Sequence, residues 1–483
     1  MNNLTKTENN ATTLASSLSP VLDLFYLIGG QKRNADIEPI FDTFMTAYRR
    51  DPERTLAVLF WARAARIGAG ARRIPLSILE RVNEACPDFL ANNAATLADL
   101  GYYKDLKFFA DNPGVIKSWA TQIRAKDRLA CKWAPRTGDI AKSMKGELAM
   151  TWKQWRTHLK EHSATVEQQM CSKQFADIEY PSVPNVAARK YRVAFKRNDG
   201  ERYGKWLDDK NAKATASSAY PVDCLMLAKS WEGDDKKLGN KQWDNLPDFV
   251  KTNESFLPIV DTSYSMQDPV NDGSDPIKAL HVAASIGLYL SERNKGQFKD
   301  SIMTFSEHPM LVKLDPGTLS ERYDSLKSKT NEQGTGWGYN TDFGKTYELI
   351  LDTAKSFNVP QEHMPTMLLC ISDMEFDEAN GARRKDRDFE GDEITVTHLE
   401  NLREKYQVAG YKMPKLVFWN VCARQNHVPA HFDDPEVGLV SGYSPSLMTA
   451  LLDCKDFSPY TVMLEALKPI ELNFDRIPRA EDF

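Results

Sequence analysis

The chain has 483 residues and a formal net charge of −5, with 42% hydrophobic and 27% charged side chains; that length argues for more than one domain, and that composition for the globular class. Its longest apolar runs fall far short of a membrane span, and its polar first ten residues lack a signal-peptide pattern, so a cytoplasmic protein is expected. The overall charge hides an asymmetry: residues 1–250 carry 38 basic and 30 acidic side chains, net +8, whereas the remainder carries 24 basic and 37 acidic, net −13.

Residues 1–18 are polar, rich in Asn and Thr, and read as disordered. From residue 19 to 207 the pattern is helical almost throughout. Helices are expected over Ile37–Tyr48, Asp51–Arg66, Pro75–Glu84, Ala91–Leu100, Val115–Trp119, Gly146–Lys160 and Val186–Lys196. Short Gly, Pro and Asn-Asp connectors separate them, which is the pattern of stacked helix pairs in an irregular solenoid, since no clean repeat period is present. Residues 101–200 hold 19 basic and 10 acidic side chains, net +9. Such a field suits either a polyanion partner or a surface complementary to the acidic second half. Residues 208–250, dominated by Lys, Asp and Gly, read as a loose connection.

From 251 to 470 strand-like and helix-like patterns alternate, predicting a doubly wound, mainly parallel sheet. The strands are the apolar runs ending at Asp261 and Ser372, with Ser301–Phe305, Met310–Leu314 and Lys415–Val421. The helices are Ile277–Arg293, Leu319–Leu326, Lys345–Ser356, Val396–Tyr406, Ser446–Leu452 and Tyr460–Leu467. Residues 471–483 read as a tail. The seven cysteines are odd in number, scattered and free of C-x-x-C spacing, as expected of reduced thiols. Cys422, His427 and His431 lack a fourth ligand at zinc spacing and read as an ordinary loop.

Three segments of this half carry chemistry: Asp261-Thr262-Ser263-Tyr264-Ser265, Asn340-Thr341-Asp342 and Ser372-Asp373. The first and last follow buried strands, where parallel sheets place ligands. Asp261, Ser263 and Ser265 can converge because alternate side chains share a face. Thr341, in a loop with Gly334, Gly336 and Gly338, adds a hydroxyl, and Asp373 adds a second carboxylate. An all-oxygen set with few charges suits Mg2+ or Mn2+, with a coordination position left open. No Walker loop, nucleophile elbow or His-Glu-x-x-His occurs, so no catalysis is expected.

The three segments resemble the metal-ion-dependent adhesion site of von Willebrand factor type A domains, a Rossmann-like fold. The resemblance implies that Ser263, Ser265 and Thr341 coordinate the cation, that Asp261 and Asp373 bind it directly or through water, and that a partner's carboxylate fills the open position. In the helical half, Leu59 to Arg73 resembles the Arg-then-Gly-x-Gly-x-Arg segment of TROVE domains of the Ro family. Gly101-Tyr102-Tyr103-Lys104-Asp105-Leu106 is similar to the segment that follows it. The block Trp152–Trp206 more closely resembles a Ro-like branch in which a helical region also precedes a type A domain. What this implies is a HEAT-like helical domain that binds RNA, as in ribonucleoproteins. The corresponding basic side chains are Arg63, Arg66, Arg72, Arg73, Lys104, Lys107, Arg128, Lys132, Arg136, Arg189, Lys190, Arg192, Lys196 and Arg197, with Tyr102, Trp133 and Tyr191 as candidate base-stacking rings. The alternative expectation is an adaptor for a AAA+ ATPase of the MoxR kind, engaged through the metal site.

Overall fold

The computed structural model describes the chain except for residues 1–2, 9–11, 32–34, 253, 271–275, 296, 306–308, 333–342, 376–401 and 425–426. It divides into two compact units that do not follow chain order. One comprises Met1–Ala35, Tyr220–Ser230 and Asp248–Ala466; the other comprises Asp36–Ala219, Trp231–Pro247 and Leu467–Phe483. All seven cysteines are free thiols. Among the described residues no helix is long and apolar enough to cross a membrane.

The first unit is built on a six-stranded sheet of order β5-β4-β3-β6-β7-β8. Its strands are β3 (Phe256–Asp261), β4 (Ser301–Phe305), β5 (Leu311–Lys313), β6 (Met367–Ser372), β7 (Lys415–Asn420) and β8 (Val437–Ser441). All neighbours are parallel except β4 and β5. Every residue of β3, β6 and β8 is buried, as expected of parallel strands covered on both faces. Chain order reverses between β3, which pairs with β4 on one side, and β6 on the other. That switch point is where such sheets open a crevice at their carboxyl ends.

Helix α14 (Ala279–Arg293) is apolar on nearly every side and lies directly on the sheet. A Cβ at Gly287 would come within 2.5 Å of Val260 Cγ2, so glycine sets how closely the helix approaches β3. Gly287→Ala is expected to destabilise this unit by about 1–3 kcal/mol through overpacking, read as a lowered urea midpoint.

The N-terminal segment departs from the expectation of disorder. β1 (Leu4–Lys6) and β2 (Thr12–Leu14) form an antiparallel hairpin. Leu14 exchanges backbone hydrogen bonds with Val428 at 3.1 and 3.0 Å, and the Thr13 hydroxyl donates to the Val428 carbonyl at 2.9 Å. The polar composition masked a segment that satisfies its backbone on a neighbouring loop. Helix α1 (Pro20–Gly30) follows and packs on β8, where the Ser441 hydroxyl donates to the Phe25 carbonyl at 3.1 Å.

The second unit comprises α2 (Glu38–Arg50), α3 (Pro52–Arg63), α4 (Arg73–Ala85), α5 (Pro87–Leu100), α6 (Pro113–Arg124), α7 (Arg128–Trp133), α8 (Asp139–Glu147), α9 (Trp152–Ser163), α10 (Val166–Cys171) and α11 (Asn185–Asp208); α2 to α7 pack each on the next, α8 packs on α6 and α9 on α7. Starts are fixed locally, by proline at the first turn of α2, α3, α5 and α6 and by side-chain caps from Asp51, Asn112, Asp127 and Thr151. The expected helix Gly146–Lys160 is two helices, α8 and α9, because the Thr151 and Gln154 side chains form a capping box that starts a new one.

The stretch 208–250 is not a loose connection. It contains α12 (Pro221–Ala228), which packs on α14 in the sheet unit, and α13 (Gly233–Asp244), which packs on α11 in the helical unit. Several of its acids are paired: Asp235 with Arg192, Asp234 with Lys196 and Asp208 with Lys237. The C-terminal stretch is likewise not a tail. Phe474 stacks on Phe89, Phe483 packs against Phe41, Phe44 and Tyr48, and Asn473 exchanges hydrogen bonds with Asn93. Among the described residues of the sheet half the expected strands are present, β8 is an addition, two of the expected helices are α15 (Leu319–Glu332) and α16 (Phe343–Ser356), and the helix expected over Val396–Tyr406 is described as α17 over 402–408. The chain closes with α18 (Leu447–Asp453) and α19 (Pro459–Leu467).

Candidate metal centre and basic surface

Asp261 ends β3 and Ser372 ends β6, so the strand register brings the two sequence segments side by side. Ser372 Oγ donates to Asp261 Oδ2 at 2.5 Å, and the Ser263 amide donates to Asp261 Oδ1 at 2.8 Å. Ser263 and Ser265 hydroxyls lie 2.9 Å apart. The amide of Glu375 donates to Asp373 Oδ1 at 3.3 Å. Immediately after Asp373 the chain turns through a left-handed residue, buried Met374, with φ of 65°; such backbone clusters at functional sites. Four of the five expected ligands, Asp261, Ser263, Ser265 and Asp373, are thus gathered at the switch point. Thr341 lies outside the described residues, as does its neighbour Asp342.

Asp261 and Asp373 are almost fully buried. Burial, and then the charge of Asp373, push the Asp261 carboxyl well above the ordinary range; burial pushes Asp373 up too, and Arg424 offsets part of that. Asp373 Oδ2 is buried and makes no hydrogen bond; it stands 3.2 Å from Arg424 Nη2. Two confined carboxylates, an unbonded carboxylate oxygen and paired hydroxyls fit a hard divalent cation, whose charge would relieve the cost of ionising both acids. Among the described residues no group of three or more His, Cys, Asp and Glu is placed to hold a metal ion, so a cation here would depend on the two carboxylates and on hydroxyls. His427 meets Glu375 at 3.3 Å and His431 meets Asn3 at 3.4 Å, so Cys422, His427 and His431 do not share a ligand.

Sequence reasoning missed Arg424, Glu8 and the contact role of Glu375. Arg424 follows β7 and reaches Asp373, the Ser265 carbonyl, Asp268 at 3.3 Å and Glu8 at 2.9 Å. Its place after the carboxyl end of the neighbouring parallel strand was a usable signal; Glu8, in a polar stretch far away in sequence, offered none.

The basic residues named from the resemblance separate into two groups. Arg63 is a correction: it is 1% exposed, its Nε donates to Asp105 Oδ2 at 2.7 Å, and its Nη2 lies 2.5 Å from the same oxygen. Arg72 holds the other Asp105 oxygen at 3.0 Å, and the Tyr102 amide donates to Asp105 Oδ2 at 3.1 Å. The Arg, Gly-x-Gly and Gly-aromatic-x-Lys-Asp-Leu segments therefore build a structural lock. Gly68 belongs to it, because a Cβ there would strike the Trp61 carbonyl at 1.9 Å. Arg192 and Lys196 are engaged by Asp235 and Asp234, as above. Arg66 donates to the Asp99 carbonyl at 3.4 Å, and Arg73, Lys190 and Arg197 are exposed while Arg189 is half-buried. Tyr102 lies under Arg63 and Tyr191 donates to Glu167 at 3.2 Å, so neither ring stands free.

The other group converges on Trp133. The ammoniums of Lys132 and Lys104 sit 5.5 and 6.0 Å from its ring centroid. Burial, and then the neighbouring charges of Lys104 and Arg136, hold the Lys107 ammonium below its ordinary pKa. Arg136 is fixed by the carbonyls of Cys131 and Ala134. Among the described residues none of Lys104, Lys107 and Lys132 is in an ion pair. Lys132 also lines, with Arg128, a cleft of about 350 Å³ that includes Glu167, Asp177 and Glu179.

Residues 7–110 and 115–253, half of the chain, match the family described as "Domain of unknown function (DUF2828)". The chain belongs to the DUF2828 family. In this DUF2828 protein a second family, "Domain of unknown function (DUF7788)", matches residues 255–468, the portion that holds the whole six-stranded sheet and the carboxylate pair. The chain is also similar to "Uncharacterized protein L728" of Acanthamoeba polyphaga mimivirus, 25% identical over 537 residues that cover 98% of this chain and 89% of that protein.

Proposed function

We propose that this DUF2828 protein is a non-catalytic RNA-binding scaffold. In this reading its helical unit, of the HEAT-like TROVE kind, receives the RNA. Its sheet unit, of the von Willebrand factor A kind, holds Mg2+ or Mn2+ through Asp261, Ser263, Ser265, Thr341 and Asp373 to engage a partner's carboxylate. The observation that carries the RNA reading is the cluster of Lys104, Lys107, Lys132 and Arg136, in which Lys104 and Lys132 lie against the half-exposed Trp133 ring. Cations held together without carboxylate partners repel one another, and a phosphate backbone relieves that repulsion. An aromatic face at their centre adds a stacking platform for an unpaired base. The net charge of +9 over residues 101–200 supplies the longer-range attraction.

Binding of the full chain to labelled single-stranded RNA over a salt series tests this. Each phosphate neutralised contributes about −0.7 to the log–log slope, so changing Lys104, Lys107 and Lys132 together to Gln is expected to flatten it by about 2. Trp133→Ala is expected to weaken binding by about 1–3 kcal/mol with an unchanged slope. Arg192→Gln, which removes a cation already paired, leaves the slope as it is. If the wild-type chain fails to bind RNA at low salt, the adaptor reading replaces this one.

A further inference from the structure

Arg424 is placed at the metal centre by two independent anchors. On one side its Nη2 stands 3.2 Å from the unbonded Asp373 Oδ2, 3.3 Å from Asp268, and donates to the Ser265 carbonyl. On the other its Nη1 donates to Glu8 Oε2 at 2.9 Å. Glu8 sits between the strands of the N-terminal hairpin, and its amide donates to Glu375 Oε2 at 2.7 Å. Glu375 is two residues beyond Asp373, so the hairpin touches the centre through its backbone as well as through its carboxylate. The guanidinium is only 15% exposed and its Nε makes no hydrogen bond.

A guanidinium and a divalent cation cannot both be held at full strength by one carboxylate, since each repels the other in a confined site. Resting on the metal reading above, we infer that Arg424 is the resident counter-cation of the centre. An entering divalent cation displaces it from Asp373 and leaves it wholly on Glu8 and Asp268, which it already touches, and thereby fastens the N-terminal hairpin more tightly. Arg424 is a positioning residue in this scheme, and Glu8 is the carboxylate that receives it. Occupancy of the centre is thus communicated to a segment more than 350 residues away in sequence, through one side chain.

The test is Mg2+ binding to the full chain by calorimetry, compared across variants. Arg424→Gln removes the competitor and is expected to tighten Mg2+ binding roughly tenfold, the worth of one charge-assisted contact. Glu8→Gln removes the receiving carboxylate and is expected to weaken it, an effect of opposite sign. The double variant behaves like Arg424→Gln alone, because without the arginine there is nothing for Glu8 to receive. Arg424→Lys, which keeps the charge, stays near wild type. Hydrogen exchange at the Leu14 and Val428 amides, bonded across the hairpin contact, slows on adding Mg2+ to the wild type and not to Glu8→Gln. A merely structural arginine would give weaker binding in Arg424→Gln, and that result, or equal affinity in all variants, overturns the inference while leaving the metal reading in place. Absence of Mg2+ binding in every variant removes both.

Discussion

Asp105→Asn is expected to lower the stability of the helical unit by about 3–5 kcal/mol, the loss found when one partner of a buried ion pair is removed. Asp105 is fully buried and is held by Arg63, Arg72 and the Tyr102 amide. Asparagine keeps the size but not the charge, so Arg63, itself 1% exposed, is left as an uncompensated cation in a dry interior. Against a domain stability of about 5–15 kcal/mol, that is a large fraction. The measurement is urea denaturation followed by tryptophan fluorescence, with Arg128→Gln, an exposed cation, as the control that leaves the midpoint unchanged. Asp105→Leu combined with Arg63→Met should recover part of the loss, since replacing both members by apolar groups avoids the stranded charge. A midpoint shift for Asp105→Asn worth under about 0.5 kcal/mol, the range of ordinary surface changes, would refute the lock.

Asp261→Asn is expected to have two effects of opposite sign. It abolishes Mg2+ stabilisation, which for the wild type at a hundredfold excess over Kd amounts to about 2.7 kcal/mol. In chelator it makes the protein more stable than the wild type at neutral pH, because one of two buried carboxylates no longer has to ionise. The pH dependence follows from the raised Asp261 and Asp373 carboxyls. Their unfolded values lie near 4, so above that pH the cation-free folded state binds more protons than the unfolded one. Its stability therefore falls as pH rises from about 4 towards neutrality. In the proposed metal reading Mg2+ takes the place of those protons, so the rise in melting temperature on adding Mg2+ should grow over the same window and be flat in Asp261→Asn. A pH-independent Mg2+ shift in the wild type would contradict this account of the centre.

The centre was legible because its chemistry is local to strand ends. An apolar run closing on Asp261, and another closing on Ser372-Asp373, mark both the buried strand and the loop that leaves it. The pairing of β3 with β6 needed the structure, yet the rule that ligands sit at carboxyl ends already placed both segments on one edge. Arg63 was misread for the opposite reason: a charge taken alone says nothing about a partner 42 residues later in the chain, and burial reverses its meaning from a surface cation to a core one. The 208–250 stretch failed in the same way, since Asp234 and Asp235 in a polar segment look solvated until Lys196 and Arg192 are seen to meet them. At α9 the signal was present in Thr151 and Gln154 and was overridden by continuous helical periodicity. β8 is short and includes Gly438, a weak strand former whose value here is the room it leaves for the Phe457 ring, 3.1 Å from a Cβ built there.

The hairpin that begins the chain sets a clock on synthesis. Leu14 leaves the ribosome early, but Val428, its backbone partner, is made 414 residues later. At roughly 5–20 residues per second, the hairpin waits about 20–80 s before its contact with Val428 can form. The helical unit waits as well, since Asn473, which closes it on α5, is made 380 residues after its partner Asn93, and Phe474 and Phe483 follow it to Phe89 and Phe44. Each unit therefore closes on residues made long after its first elements, so a pause or chaperone acting between the two events governs the yield of both.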